Sequence, residues 1–170
     1  LRRLGSIDRA LDSRLQRPPP EPVRRLLRVG LAQMLYLDTP DFAAVSTTVK
    51  LAERGNATRP YKALINAVLR GLARDPAAEP PPEADVPPWL FARWEAQFGQ
   101  VAAEGIALNA RVEPPTDLSL KPGGDTTGLI EALPADTLPG GSLRTRRGGD
   151  VAGWPGFEGG DWWVQDAAAA

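Results

Sequence analysis

Arg24, Arg25 and Arg28 fall within about 100° of one another when wound at 3.6 residues per turn, in the first two turns of the helical pattern that carries them. Cations at that end oppose the helix dipole, which favours anions there. A partner outside the helix would justify them, and a phosphate backbone is such a partner. With Arg2, Arg3, Arg14 and Arg17 nearby in sequence, these seven arginines form a candidate RNA-binding face. A merely solvated charged surface is the plainer alternative.

Other chemistry is largely excluded. The chain has no His and no Cys, which removes a thiolate nucleophile, an imidazole base, a disulfide and a zinc site of the usual N and S ligands. The redox compartment is unreadable for the same reason. Carboxylates such as Glu95, Glu104, Glu113 and Asp117 are scattered and read as surface. Glycine pairs at Gly123-Gly124, Gly140-Gly141, Gly148-Gly149 and Gly159-Gly160 lack the strand-Gly-x-Gly-x-x-Gly-helix context of a nucleotide site and read as turns. No catalytic, cofactor-binding or metal-ligating residue is therefore expected within this sequence. Of the five tryptophans, Trp154 in a Gly/Pro-rich stretch is the candidate for stacking on an unpaired base. Trp94, and one of Trp162 and Trp163, are expected in the core.

These residues need elements to hold them. Leu1, Leu4, Ile7, Leu11 and Leu15 recur at threes and fours and predict an opening helix, broken by Pro18-Pro19-Pro20. Pro22 suits the first turn of a second helix over 23–37. From Val29 onward it is apolar nearly all round, which predicts an enclosed central position. Thr39-Pro40 reads as a cap and first turn for a third helix to about Arg54, ended by Gly55-Asn56. Tyr61, Leu64, Ile65, Val68, Leu69 and Leu72 mark a fourth. Pro88 leads a fifth, with Leu90, Trp94 and Phe98 every four residues, and after Gly99 a sixth runs to about Arg111. Then the period drops to two. Residues 116–121 alternate as a half-buried strand, Asp125 can cap a short helix to Leu133, and 142–147 and 161–165 are further strands. Asp166 can cap the start of a final helix in 167–170.

Composition fits two small domains. The chain has 170 residues, 42% of them hydrophobic, and a net charge of -1. That near-neutral total conceals 14 basic and 7 acidic residues in 1–75, net +7, against 6 and 14 in 76–170, net -8. Prolines 76, 80, 81, 82, 87 and 88 mark 76–88 as a semi-rigid spacer. The reading is an all-helical domain over 1–75, this linker, and a small α+β layer over 89–170 made of helices, then strand, helix and two strands. No run approaches a membrane span and no signal segment opens the sequence, so a soluble cytoplasmic protein is expected.

Several stretches resemble a known family. Leu26-Leu27-Arg28-Val29-Gly30-Leu31-Ala32-Gln33-Met34-Leu35-Tyr36-Leu37, Asp41-Phe42-Ala43-Ala44-Val45 and Ile65-Asn66-Ala67-Val68-Leu69-Arg70 resemble the NusB-type helical domain. That domain binds RNA in transcription antitermination and also opens the Sun, or RsmB-type, methyltransferases. Pro88-Trp89-Leu90 with Trp94, then Glu113-Pro114-Pro115 before Leu118-Ser119-Leu120-Lys121, resemble the segment that follows it in those enzymes. So do Pro155-Gly156-Phe157-Glu158-Gly159-Gly160 and Val164-Gln165-Asp166-Ala167-Ala168-Ala169.

The resemblance implies the RNA-recognition portion of an S-adenosylmethionine-dependent enzyme that methylates carbon 5 of a cytosine in small-subunit ribosomal RNA. In the family a cysteine thiolate adds to carbon 6 of the base, in a cofactor domain with no counterpart here, so no catalytic or cofactor residue carries over. Trp162, Trp163, Gln165 and Asp166 become candidates for the interface with that cofactor domain. The uncapped start at Leu1 and the abrupt end lead us to expect a piece of a longer protein, with apolar patches near both ends open to the missing domain or to self-association. The rival reading is a stand-alone NusB-like module that binds RNA or docks a protein, without enzyme activity.

Overall fold

The computed structural model describes residues 2–123 and 126–169, and the backbone but not the side chain of Thr126. Leu1, the capping role expected of Asp125 and the last residue of the final predicted helix lie outside them. The chain divides into two compact units, Leu1–Val112 and Glu113–Ala170. The fold class is as expected: helices first, then a small antiparallel sheet.

In the first unit, α1 (Leu4–Asp12) buries Ile7 and Leu11, with Leu15 packed on the same core just past its end. Pro20 occupies the cap position of α2 (Glu21–Tyr36), which buries Val23, Leu27, Gly30 and Leu31. Next come α3 (Asp41–Arg54) and α4 (Lys62–Arg74). In α4 the inward stripe is Ile65, Val68, Leu69 and Leu72. Their apolar faces meet in one core. Gly30 allows the approach: a Cβ there would lie 2.7 Å from Thr48 Oγ1 and 2.8 Å from Leu69 Cδ1.

Two local expectations change. Helix α2 packs on α1, α3 and α4, yet Val29, Leu35 and Tyr36 are exposed because three neighbours leave a fourth side of the cylinder open, and Leu37, just past its end, is exposed too. Thr39 does not cap α3. Pro40 is the cap residue, and its carbonyl accepts from the amides of Ala43 and Ala44.

The proline-rich 76–88 stretch is docked rather than free. The Asp75 carbonyl and carboxylate accept from Arg14, Glu79 accepts from Arg3, and a short 3-10 turn at Pro82–Asp85 packs on α1. Gly5 makes that contact possible, since a Cβ on it would sit 1.7 Å from the Ala84 carbonyl oxygen. Helices α5 (Pro88–Phe98) and α6 (Gln100–Ala110) form a pair, and α6 rests on the same turn. Residues 89–112, expected with the sheet, thus group with the first unit. Polar anchors at 75, 79–81 and 85, invisible in a composition count, hold them there. The expected apolar stripe of α5 is only half covered: Leu90 and Trp94 are partly buried and Phe98 is exposed.

The second unit holds β1 (Thr116–Leu120), α7 (Thr126–Ala132), β2 (Ala135–Thr137), β3 (Leu143–Thr145) and β4 (Trp162–Val164). Strand order is β2-β3-β1-β4, antiparallel throughout, with Leu118 opposite Leu143 and Leu120 opposite Trp162. The unpredicted strand is β2. Its three residues have no buried position, so no alternation announces it. Leu118, Leu129, Leu133, Leu143, Trp154 and Trp162 form the core. Asp166 does cap the final turn, its carboxylate accepting from the Ala168 amide.

Candidate nucleic-acid interface

The predicted arginine face is largely neutralised within the fold. α1 and α2 pack so that Asp8 and Asp12 meet two of the three clustered arginines. Arg24 lies 3.0 Å from Asp8 and 2.7 Å from Asp12. Arg28 grips Asp8 with two hydrogen bonds of 2.8 Å and lies 3.4 Å from Glu21. Burial pushes the Asp8 carboxyl up, but the hydrogen bond and charge of Arg28 and those of Arg24 outweigh it, and its pKa ends below the ordinary value. Arg25 points outward and pairs with Glu21 one turn back. Arg3 pairs with Glu79 and lies 5.3 Å from the centroid of the Tyr36 ring, while Arg14 pairs with Asp75. Arg2 and Arg17 are exposed and make no ion pair with a described residue. The structure therefore gathers Arg24 and Arg28 into an α1–α2 clasp and leaves Arg2, Arg17 and the outer side of Arg25 open.

The aromatic candidates sort differently from expectation. Trp154 is not available for stacking. Only 5% exposed, it sits 6.1 Å from Trp162 in the core of the second unit, because the Gly/Pro-rich segment folds back over α7 and the sheet. Trp162 is also core, its indole N–H donating to the Pro155 carbonyl. It thus turns away from any external partner. Trp163, one position along the period-two strand, faces out and donates to Gln165 Oε1. Gln165 Oε1 also accepts from the Ser119 hydroxyl, and Asp166 is surface-lying as the cap already described.

One site went unforeseen. An open groove of about 830 Å³ runs between α3 and α4, lined by Phe42, Val45, Ser46, Val49 and Lys50 on α3 and by Asn66, Ala67, Arg70, Ala73 and Arg74 on α4, with Asp41 and Glu53 at its margins. The short connection returns α4 along α3, and the lining positions repeat at threes and fours on each helix. Phe42 is 79% exposed. Lys50, Arg70 and Arg74 make no ion pair among the described residues, and Glu53 is taken by Lys62 at 3.2 Å. Asn66, Arg70 and Arg74 at i, i+4 and i+8 were a readable stripe. The apolar face of the same helix, more regular, masked it.

Nothing described here fits S-adenosylmethionine. The four described strands pair antiparallel, whereas a doubly wound nucleoside fold is built on a parallel sheet. Gly140 and Gly141 sit in the β2–β3 turn at positive φ. No cluster of His, Cys, Asp or Glu among the described residues could hold a metal, and no described helix is long and apolar enough to cross a membrane.

Comparison with known proteins agrees with these elements. Residues 1–74 match the NusB family. The whole chain is similar to curated relatives. One, named probable ribosomal RNA small subunit methyltransferase B, from Synechocystis sp., is 28% identical over 198 aligned positions, covering 99% of this chain and 43% of the relative. Ribosomal RNA small subunit methyltransferase B of Xanthomonas campestris pv. campestris is 33% identical over 180, covering 99% and 41%. That of Sodalis glossinidius is 35% identical over 170, covering 87% and 37%. The chain spans about two fifths of the length of these relatives. It carries a NusB-family domain at its start and is related over almost its whole length to the ribosomal RNA small subunit methyltransferase B proteins.

Proposed function

We propose that this chain is the RNA-recognition part of an S-adenosylmethionine-dependent enzyme that methylates carbon 5 of a cytosine in small-subunit ribosomal RNA, working in the cytoplasm. The observation that carries the reading is the similarity over 99% of the chain to proteins named for methylating that RNA. The basic charge of residues 1–75 supports it, because cations release condensed counterions from phosphates while the acidic remainder repels them. Arg2, Arg17 and Arg25 are the open members of the arginine set. Arg3, Arg14, Arg24 and Arg28 act one step back by ordering the helices that present them. Trp163, Gln165 and Asp166 offer a surface to the cofactor domain. The methyl transfer itself belongs to residues other than these.

Fluorescence anisotropy with labelled small-subunit ribosomal RNA, with tRNA of equal length as competitor, tests the reading. The expected result is salt-sensitive binding that the competitor displaces poorly. No binding, or equal displacement by tRNA, would overturn it.

A further inference from the structure

Besides Arg2 and Arg17, positive charge without an ion pair among the described residues lies on α3 and α4, away from the clasped Arg24 and Arg28. In 41–74 six basic residues face two acidic ones, Asp41 and Glu53, and Glu53 is engaged by Lys62. Lys50, Arg70 and Arg74 project into the α3–α4 groove without an ion pair among the described residues. In the α1–α2 clasp, by contrast, Arg24 and Arg28 are neutralised by Asp8 and Asp12. A guanidinium already held by carboxylates gains little from a phosphate, whereas an unpaired one gains the whole counterion-release term.

The groove between the cations is lined by Val45, Val49, Ala67 and Ala73, with Phe42 at one end and Asn66 and Ser46 as polar points. A pocket for a small anion would be polar throughout. An apolar trough edged by cations, with an exposed aromatic ring, is instead the arrangement that accepts an unpaired strand: phosphates at the rim, base faces on the floor and ring.

We propose that the α3–α4 groove binds a single-stranded segment of the ribosomal RNA, with Lys50, Arg70 and Arg74 meeting consecutive phosphates and Phe42 stacking on a base. The assignment rests on the chain being an RNA-binding part, and it names the surface that does the binding. Asp41, at the Phe42 end, then acts against affinity by repelling phosphate.

The test uses the 170-residue chain, a labelled single-stranded ribosomal RNA oligonucleotide and a salt titration, with circular dichroism and Tm as fold controls. All five residues to be changed are exposed or at the groove margin, so Tm should move by no more than about 2 °C. Lys50→Ala, Arg70→Ala and Arg74→Ala together should weaken binding at least tenfold and make the slope of log K against log salt shallower by about 2, since each lost contact on a single strand removes ~0.7. Phe42→Ala should weaken binding roughly tenfold and leave the slope unchanged. Asp41→Asn should tighten binding about twofold.

If the unaltered chain binds ribosomal RNA and the triple variant binds it with the same affinity and slope, the groove assignment falls and the proposed function stands. If the unaltered chain does not bind ribosomal RNA at all, both fall. Sedimentation showing a dimer that the triple variant dissociates, with RNA binding untouched, would give the groove to a second copy and overturn the assignment.

Discussion

Arg111 is the residue from which the proline-rich segment hangs. Its side chain is 5% exposed and that of Asp85 3%, with Nε donating to Asp85 Oδ2 at 2.8 Å. Its Nη2 donates to the carbonyls of Pro80 and Pro81 and to Ser6 Oγ, and Ser6 in turn donates through both its amide and its hydroxyl to Asp85. Removing one member leaves a buried charge without its partner. Arg111→Ala should therefore cost about 3–5 kcal/mol, read as a fall in urea midpoint, and changing Asp85→Ala as well should recover part of that loss. In the second unit, Asp117 accepts two hydrogen bonds from Arg144. That pairing, with a contribution from the Ala167 amide and against the effect of burial, holds its pKa below the ordinary value. A depressed carboxyl stabilises the fold in full above its unfolded pKa of about 3.9 and loses that contribution as pH falls through the folded value. The stability gap between the unaltered chain and Arg144→Ala should be open at pH 7 and close as pH falls below the unfolded value and through the lower folded one, followed by the fluorescence of the buried Trp154 and Trp162.

At the scale of elements, α5 and α6 present an unusually apolar outer surface. Val101, Leu108 and Val112 fall at i, i+7 and i+11 and are all exposed, as are Trp89 and Phe98. What α6 buries instead is small, Ala103 and Ala107, where it meets its neighbours. A hydrophobic face left in water favours association. Val101→Lys with Leu108→Lys should reduce dye binding and concentration-dependent light scattering, and since neither side chain is packed, stability should change by only about 0.5 kcal/mol. An equal loss of Tm and of secondary structure would mean that the face is covered. Trp163 and Val164 on β4 are exposed apolar residues of the second unit, one on each side of the strand.

At the scale of the molecule, the helical core is closed within its own unit: Ile7, Leu11, Val23, Leu27, Leu31, Ile65, Leu69 and their neighbours all precede residue 113. The 1–112 piece, made alone, should keep its helical circular dichroism and a cooperative thermal transition, whereas a cut after residue 75 should expose Ser6 and the α1 surface under the 3-10 turn and lower Tm. Salt-dependent RNA binding should travel with 1–112. The 170-residue chain should transfer no methyl group from labelled S-adenosylmethionine to ribosomal RNA, because a covalent route through a thiolate needs a cysteine and there is none. Methylcytosine above a protein-free control would refute this.

Periodicity was enough to place α1, α4, α5 and β1, because the side of an element that is apolar is set by spacings of three, four or two along the chain itself, and proline and glycine signals bounded α2, α3 and α6. Charge segregation and the NusB-like stretches were equally visible in the sequence. Pairing across elements was not. Asp8 and Asp12 neutralise Arg24 and Arg28 only because α1 crosses α2 at their level. The prolines at 80 and 81 are held by a guanidinium some thirty positions on, and Trp154 is interior because α7 and the sheet lie beneath it. The α3–α4 groove belongs to neither helix alone. Local sequence fixes which faces are apolar or charged; which charges cancel and which stay open to a ligand depends on distances between faces, and only the packed tertiary structure sets those.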